Sequence, residues 1–273
     1  MTESTETEIL NLLGVSLGGL SYPDLCDCLR QLGVKRAGHF MHTVQTLVGV
    51  VRRMEQAGEL RVDGWIHAPD GMHEPICRGL LDSGRFEQFA RVVSEVAPGS
   101  LYGNGMQRGP DLRALRDIRI ELYAGDPAKC LQRANHLASV ADHSVPHTPP
   151  LTAALVHPVR REWLDSLPTR LADALALEQV RRRPEERPTG TLMDWVQARA
   201  ERVNAPRELR LDWARHLILC GGFDAAEGLL APMEGADATF ELGRLSMLRG
   251  RRTAALKTWS QAHKDLKRTS RKQ

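Results

Sequence analysis

Long hydrophobic runs are missing from this sequence of 273 residues. No apolar stretch approaches the roughly eighteen residues that a membrane-spanning helix needs, so we expect no transmembrane segment. The chain begins MTESTE, which is polar and acidic, whereas a secretory signal begins with basic and then apolar residues. With 42% hydrophobic and 26% charged residues, the composition is ordinary for a globular protein. We therefore expect a cytoplasmic location.

Cysteine is also scarce, and the histidines lack the spacing of a metal site. Five cysteines, an odd number without framework spacing, indicate reduced thiols that pack between helices. Several histidines fall between residues 136 and 157, but none is spaced as a ligand pair on one helix face. The sequence therefore predicts no metal site.

Motifs that carry catalytic chemistry are missing too. The glycine-rich stretch 101–110, LYGNGMQRGP, matches neither the dinucleotide fingerprint nor the Walker pattern. We interpret it as a loop between helical hairpins, and the proline-rich segment 142–150 as a connector. No nucleophile elbow and no locally supported cysteine-histidine pair is present. An enzyme with an unfamiliar site is therefore less favoured than a protein that has no catalytic activity and no cofactor.

The stretch 35–69 has the pattern of a long amphipathic helix followed by two short strands. Apolar residues recur in it at three and four positions, which places them on one helical face. They are Phe40, Val44, Leu47, Val48, Val51 and Met54. Ala57-Gly58 then ends the helix, and Asp63-Gly64 is a turn signal between two apolar runs. Upstream, residues 6–15 and a segment capped by Ser21 predict two shorter helices.

Three helices followed by a hairpin resemble the winged helix-turn-helix family, and the predicted domain covers residues 1–72. The resemblance implies that the third helix enters the major groove of duplex DNA and contacts it through its exposed face. The nucleic-acid contacts implied there are Lys35, Arg36, His39, His42, Thr43, Thr46 and Arg53. Cations are few on this face, so docking on a protein partner stays open as the alternative.

From residue 73 the pattern changes to helix, short glycine break, helix. Such hairpins are predicted at 74–96 and 111–140, and two more lie near the end of the chain. There LCGGFDAA at 219–226 aligns with LRGRRTAA at 248–255, at an offset of 29 residues. The glycine permits a left-handed turn, and the paired alanines let the second helix approach its partner closely. The pattern predicts an α-solenoid over residues 73–268.

These hairpins resemble tetratricopeptide repeats, although that family has a period of about 34 residues. The resemblance implies that the hairpins stack and bind a protein partner on their concave surface. The predicted fold class is therefore mainly α, with an N-terminal winged helix-turn-helix followed by a tetratricopeptide-like α-solenoid of helical hairpins.

Positive charge is concentrated at the end of the chain. From Arg244 onwards ten Lys or Arg stand against one acid, so this end carries about +9 and the rest about −6. We predict further nucleic-acid contacts at Lys264, Lys267 and Arg268, and a basic tail at 269–273. The basic end equally suits an acidic protein partner or a solvated helix end.

Residues 242–273 also resemble the helical-repeat segment that precedes the motor of some bacterial Swi/Snf-type ATPases. This resemblance implies the N-terminal regulatory part of a larger DNA-acting ATPase. Two functions therefore stay open. One is a non-catalytic regulatory or adaptor module that binds a protein partner and duplex DNA. The other is a pure protein-interaction scaffold without DNA binding.

Overall fold

The structure is a computed structural model that describes residues 5–35, 40–97, 112–140, 148–182 and 190–270. It is mainly helical, since these residues form fifteen helices and one two-stranded sheet. The chain divides into two compact units, Met1–Val159 and Arg160–Gln273. The boundary expected at residue 72 falls inside the first unit, and a domain division there stays a prediction. The glycine-rich stretch 101–110 and residues 142–147 of the connector lie outside the described residues.

Three helices and a hairpin begin the first unit. Their bounds are α1 Thr5–Val15, α2 Tyr22–Gln31, α3 Val44–Gln56, β1 Arg61–Val62 and β2 Ile66–His67. The two strands pair antiparallel around Asp63-Gly64, where Gly64 takes the positive φ of 95° that the turn requires. Leu20, between α1 and α2, exchanges two backbone hydrogen bonds of 2.9 Å with Ile66. The hairpin is thereby joined to the segment between the first two helices.

Helix α3 begins later than its apolar pattern predicted. Thr43 has an extended backbone and caps the helix, because its hydroxyl accepts a hydrogen bond from the backbone N–H of Thr46. Lys35 and Met41 form an isolated antiparallel bridge, so the chain turns back before it enters the helix. The predicted helical face was therefore wrong at its N-terminal end, where Phe40 is exposed and precedes the helix.

The buried face of α3 is also narrower than the pattern predicted. Leu47, Val51 and Met54 are buried, whereas Val44 and Val48 are exposed. The three buried side chains belong to one core that also contains residues of α1, α2 and the helices that follow the hairpin. Full burial of such side chains contributes about 1.5–3 kcal/mol each. This core fixes the orientation of α3 and decides which of its faces solvent reaches.

The rest of the described part of the first unit contains five helices, and the first four lie where two hairpins were predicted. Their bounds are α4 His73–Asp82, α5 Phe86–Val96, α6 Leu112–Tyr123, α7 Pro127–Val140 and the short α8 Pro150–Ala153. Cys77, Phe86 and Phe89 lie in the same core as the buried residues of α1 to α3. Among the described helices of the chain, none is long and apolar enough to cross a membrane.

The second unit contains seven helices in its described residues. They are α9 Arg161–Ser166, α10 Thr169–Arg181, α11 Thr191–Ala200, α12 Arg207–Leu219, α13 Phe223–Leu230, α14 Ala236–Leu248 and α15 Arg252–Ser270. Helices α12 and α13 form one hairpin, and α14 and α15 form the next. The repeated glycines, Gly221 and Gly250, both take the positive φ expected of them, 80° and 76°. Only the second alanine of each pair, Ala226 or Ala255, is buried.

Candidate interaction surfaces

The outward side of α3 is apolar near its start and basic near its end. Val44 and Val48 lie one turn apart on the helix, directly after the exposed Phe40 and Met41. We call these four residues the α3 apolar patch. Arg52, one turn beyond Val48 along the helix, is also exposed. The patch leaves apolar side chains exposed to solvent at the N-terminal end of α3.

The hydroxyls of Thr43 and Thr46, both predicted to contact DNA, form hydrogen bonds that cap the start of α3. The hydroxyl of Thr46 accepts a hydrogen bond from the backbone N–H of Thr43 at 2.9 Å and donates one to its carbonyl at 2.8 Å. Together with the bond from Thr43 back to the Thr46 N–H, this is a capping box. Both hydroxyls therefore have a structural role at the start of α3.

The predicted contact His42 lies in the interior, with 4% of its surface exposed. Its Nε2 is 3.3 Å from the hydroxyl of Thr5, and its carbonyl accepts a hydrogen bond from the thiol of Cys26. The apolar spacing around residue 42 gave no sign of this, because the residue lies before the helix. A side chain held in this way is not presented to a DNA groove.

The remaining predicted contacts of this region differ in their surroundings. Lys35 is exposed. Arg53 is mostly exposed, and its guanidinium lies 3.5 Å from the carboxylate of Glu6 and donates to the Gly49 carbonyl at 3.3 Å. Arg36 and His39 lie outside the described residues. Part of the positive charge expected on α3 is therefore offset by an acid of α1.

Helix α15 presents a basic face. Among its described side chains Ala255 and Ala262 are buried, and Lys257 and Lys264 lie on the opposite side of the helix by its period. Lys267 extends this side by one turn, and all three lysines are exposed. The predicted contacts Lys264 and Lys267 therefore share one face, while the side chain of Arg268 lies outside the described part of the chain.

Alternating charges join helices α10, α12 and α14. Arg181 contacts Asp212 at 2.7 Å, and Arg215 contacts both Asp212 and Glu241 at 2.8 Å. Arg244 then lies 3.5 Å from Glu241. We call this row of five residues the ion-pair ladder. This ladder was not predicted from the sequence, although Asp212 and Glu241, and likewise Arg215 and Arg244, stand at the same offset of 29 residues as the glycines.

A second ion pair joins α12 to the start of α14. The guanidinium of Arg207 donates to the carboxylate of Asp237, with one N–O distance of 2.6 Å. This hydrogen bond lowers the pKa of Asp237 to about 2, assisted by the backbone N–H of Ala238. The carboxylate therefore stays charged well into the acidic range.

We predict that this pair makes the second unit sensitive to acid. The folded-state pKa of Asp237 is depressed, so its contribution is complete above its ordinary pKa near 4 and is lost as the pH falls towards 2. For an exposed pair the effect is about 0.2–1 kcal/mol. The difference in unfolding free energy between wild type and Asp237→Asn, measured in urea, should be full at pH 7 and shrink as the pH falls to 2, and Arg207→Gln should behave likewise. Differences that do not change with pH would contradict this assignment.

The thiols of Cys28 and Cys77 lie buried, and the surface has an apolar depression in the part that the structure describes. Burial raises the pKa of Cys28 to about 12 and also raises that of Cys77, so neither thiol is a ready nucleophile. An apolar depression of about 410 Å³ has one ionisable residue, Glu59, in its lining. Within the described ranges, no three or more His, Cys, Asp or Glu residues are grouped as metal ligands.

Comparison with known proteins adds no relative. No family model, curated protein or solved structure matches the chain.

Proposed function

We propose that this chain is a non-catalytic regulatory or adaptor module built from a winged helix and a tetratricopeptide-like stack. The winged helix is supported by the element order of residues 5–67: three helices are followed by two strands, and Leu20, between the first two helices, pairs with Ile66 of the second strand. The two successive hairpins from α12 to α15, related by the offset of 29 residues, support the tetratricopeptide-like stack. Residues 242–273 resemble the helical-repeat segment that precedes the motor of some Swi/Snf-type ATPases. This resemblance suggests that the module regulates a DNA-acting ATPase.

In this proposal α3 docks on a protein partner, and the observation that carries it is the α3 apolar patch. A helix that enters DNA needs cations and hydrogen-bonding groups along its exposed face. Here Val44 and Val48 occupy the first turns, and the threonine hydroxyls beside them are used in capping. Burying such apolar groups against a partner is favourable, at about 25 cal/mol per Å² of apolar surface. The geometry therefore favours protein over DNA as the ligand of α3.

Binding of duplex DNA is the second candidate function, and the basic face of α15 is the observation that favours it. Lys257, Lys264 and Lys267 line one side of a helix that runs from Arg252 to Ser270. Lysines presented in this way bind phosphates without regard to base sequence. In this candidate α15 supplies affinity for nucleic acid, while α3 supplies the protein contact.

The test of the α3 assignment replaces two valines of the patch. Val44→Asp with Val48→Asp should abolish capture of the partner from cells that make this protein, as measured by quantitative affinity purification. Full burial of one valine is worth about 1.5–3 kcal/mol, so a loss of at least about tenfold in affinity is expected. Gln45→Asp with Gln56→Asp adds the same charge on exposed positions of α3 and serves as the control. Equal capture by both variants would contradict the assignment.

The test of DNA binding is a titration of labelled duplex DNA at two salt concentrations. If α15 binds phosphates, Lys264→Glu with Lys267→Glu should weaken binding and reduce the salt slope by about 0.9 for each lost phosphate contact. Lys35→Glu with Arg52→Glu should leave binding nearly unchanged. If DNA binding is lost only in the variant with Lys35→Glu and Arg52→Glu, then DNA binds at α3, and the assignment of α3 to a protein partner is overturned.

A further inference from the structure

Helices α12 and α14 are the first helices of the two hairpins related by the offset of 29 residues. Equivalent residues of the two helices differ in how much of their surface neighbouring helices bury. On α12, Leu211 and Ile218 are 6% and 3% exposed, and they share a core cluster with residues of α14. Arg215 lies between them on this face and pairs with Glu241 of α14. A covered face of this repeat therefore contains two apolar residues and one arginine that meets an acid of the next helix.

The equivalent face of α14 is open. Adding the offset of 29 residues to the α12 positions gives Phe240, Arg244 and Met247. The Phe240 ring stacks on Trp259 of α15 but is still 51% exposed, whereas its α12 counterpart Leu211 is almost fully covered. Met247 is partly exposed. Arg244 stands where Arg215 stands on α12. We call these three residues the α14 open face.

The helix that covers α12 shows what chemistry such a face binds. Helix α14 directs Asp237 and Glu241 at the arginines of α12, and its Ala238 and Leu245 join the α12 core cluster. The covering helix thus combines two carboxylates four residues apart with a small and an aliphatic side chain beside them. This spacing places all four groups on one side of a helix.

We propose that the α14 open face binds an amphipathic helix of a partner protein that carries carboxylates four residues apart and aliphatic residues beside them. It binds as α14 binds α12, with an acid of the partner against Arg244 and apolar contact on Phe240 and Met247. A nucleic-acid ligand does not suit this face, because one arginine between two apolar side chains offers little to a row of phosphates. The inference rests on the proposed role of the repeats in protein binding and names the partner's chemistry.

The experiment uses the full chain and a synthetic helix that reproduces the covering helix. The probe is a fluorescent peptide of residues 235–248, in which a hydrocarbon staple replaces Thr239 and Gly243 on the side away from the carboxylates. Short helices are marginal in water, so the staple removes the cost of folding from the measurement. Fluorescence anisotropy should show saturable binding to wild type. Arg244→Glu should weaken it by about tenfold or more, because like charges then face each other.

Charge exchange and a second variant separate a direct contact from a folding defect. A peptide with Lys in place of Glu241 should bind Arg244→Glu better than it binds wild type. Met247→Glu should also weaken binding of the original peptide, while Arg202→Glu, an exposed position of the same unit, should not. Unfolding curves of each variant show whether the unit remains folded.

Two outcomes overturn the inference. One is the absence of saturable peptide binding, or binding that neither Arg244→Glu nor Met247→Glu weakens. The other is a concentration-dependent dimer in sedimentation equilibrium that Arg244→Glu dissolves, since the face would then belong to a second copy of this chain. Neither outcome affects the test of the α3 apolar patch, because that test changes residues of the first unit only.

Discussion

Replacing Arg119 with methionine is expected to lower the free energy of unfolding by about 3–5 kcal/mol, the cost of breaking a buried, hydrogen-bonded charge interaction. Arg119 of α6 is 3% exposed, and its guanidinium donates to the carbonyls of Ala154 at 3.0 Å and Leu155 at 3.2 Å. It also lies 3.4 Å from the Ala153 carbonyl and 3.8 Å from the carboxylate of Glu74. Methionine fills similar space but leaves these buried acceptors without their donor, at about 1–3 kcal/mol each.

The control for this prediction is an arginine of the same unit that lies in solvent. Arg91 pairs with Glu87 one turn earlier in α5 at 2.7 Å, with about half of each side chain exposed. Arg91→Met should change the unfolding free energy by no more than about 0.5 kcal/mol, since exposed pairs of this kind contribute little. Urea unfolding followed by circular dichroism measures both variants. Equal losses would show that the buried carbonyls do not depend on Arg119.

The role of Arg119 could not be predicted from the sequence. Its carbonyl partners lie more than thirty positions away, around the short helix α8, and no local pattern links the two segments. The hairpin of β1 and β2 was predictable because an Asp-Gly pair between apolar runs is a local turn signal. The two backbone hydrogen bonds between Leu20 and Ile66 could not be predicted, because they join residues far apart in sequence.

The limits of α3 show how a periodic pattern and a capping residue compete. The apolar spacing continues back to Phe40, so it predicted helix there, but Thr43 in an extended conformation starts the helix. The winged-helix resemblance implies DNA contacts at Thr43 and Thr46, whereas their spacing of three residues is that of a capping pair. The burial of His42 depends on its packing near Thr5 and Cys26 and is not visible in the spacing either.

The two hairpins near the end of the chain were predictable from the sequence, but the ion pairs between their helices were not. Glycine and alanine at a shared offset indicated two equivalent hairpins, and the structure places helices at both. The ion-pair ladder uses the same offset, yet its contacts run from Arg215 to Glu241 across two neighbouring helices. Knowing which acid meets which arginine requires knowing which helices are adjacent. The shared offset relates the ladder residues of α12 to those of α14, but it does not give their pairing.

The closest approach of α14 to α15 depends on one glycine. Gly243 faces the indole of Trp259, and a Cβ added at Gly243 would overlap the Cδ1 and Nε1 atoms of that ring. The indole N–H donates to the Phe240 carbonyl at 3.0 Å, and the Phe240 and Trp259 rings stack with centroids 5.9 Å apart. A larger residue at position 243 would therefore have to move a tryptophan that is held by both contacts.

Gly243→Ala is accordingly expected to destabilise the second unit by about 2 kcal/mol. Overpacking costs about 1–3 kcal/mol, together with the loss of the indole hydrogen bond, and exceeds the gain of up to about 1 kcal/mol from replacing a helical glycine. Gly228 of α13 supplies the control, because a Cβ there meets nothing within 4 Å. Gly228→Ala should raise the unfolding free energy by about 0.5–1 kcal/mol. Urea unfolding that shows the same sign for both variants would mean that Trp259 yields freely, and that the α14–α15 contact does not need a glycine.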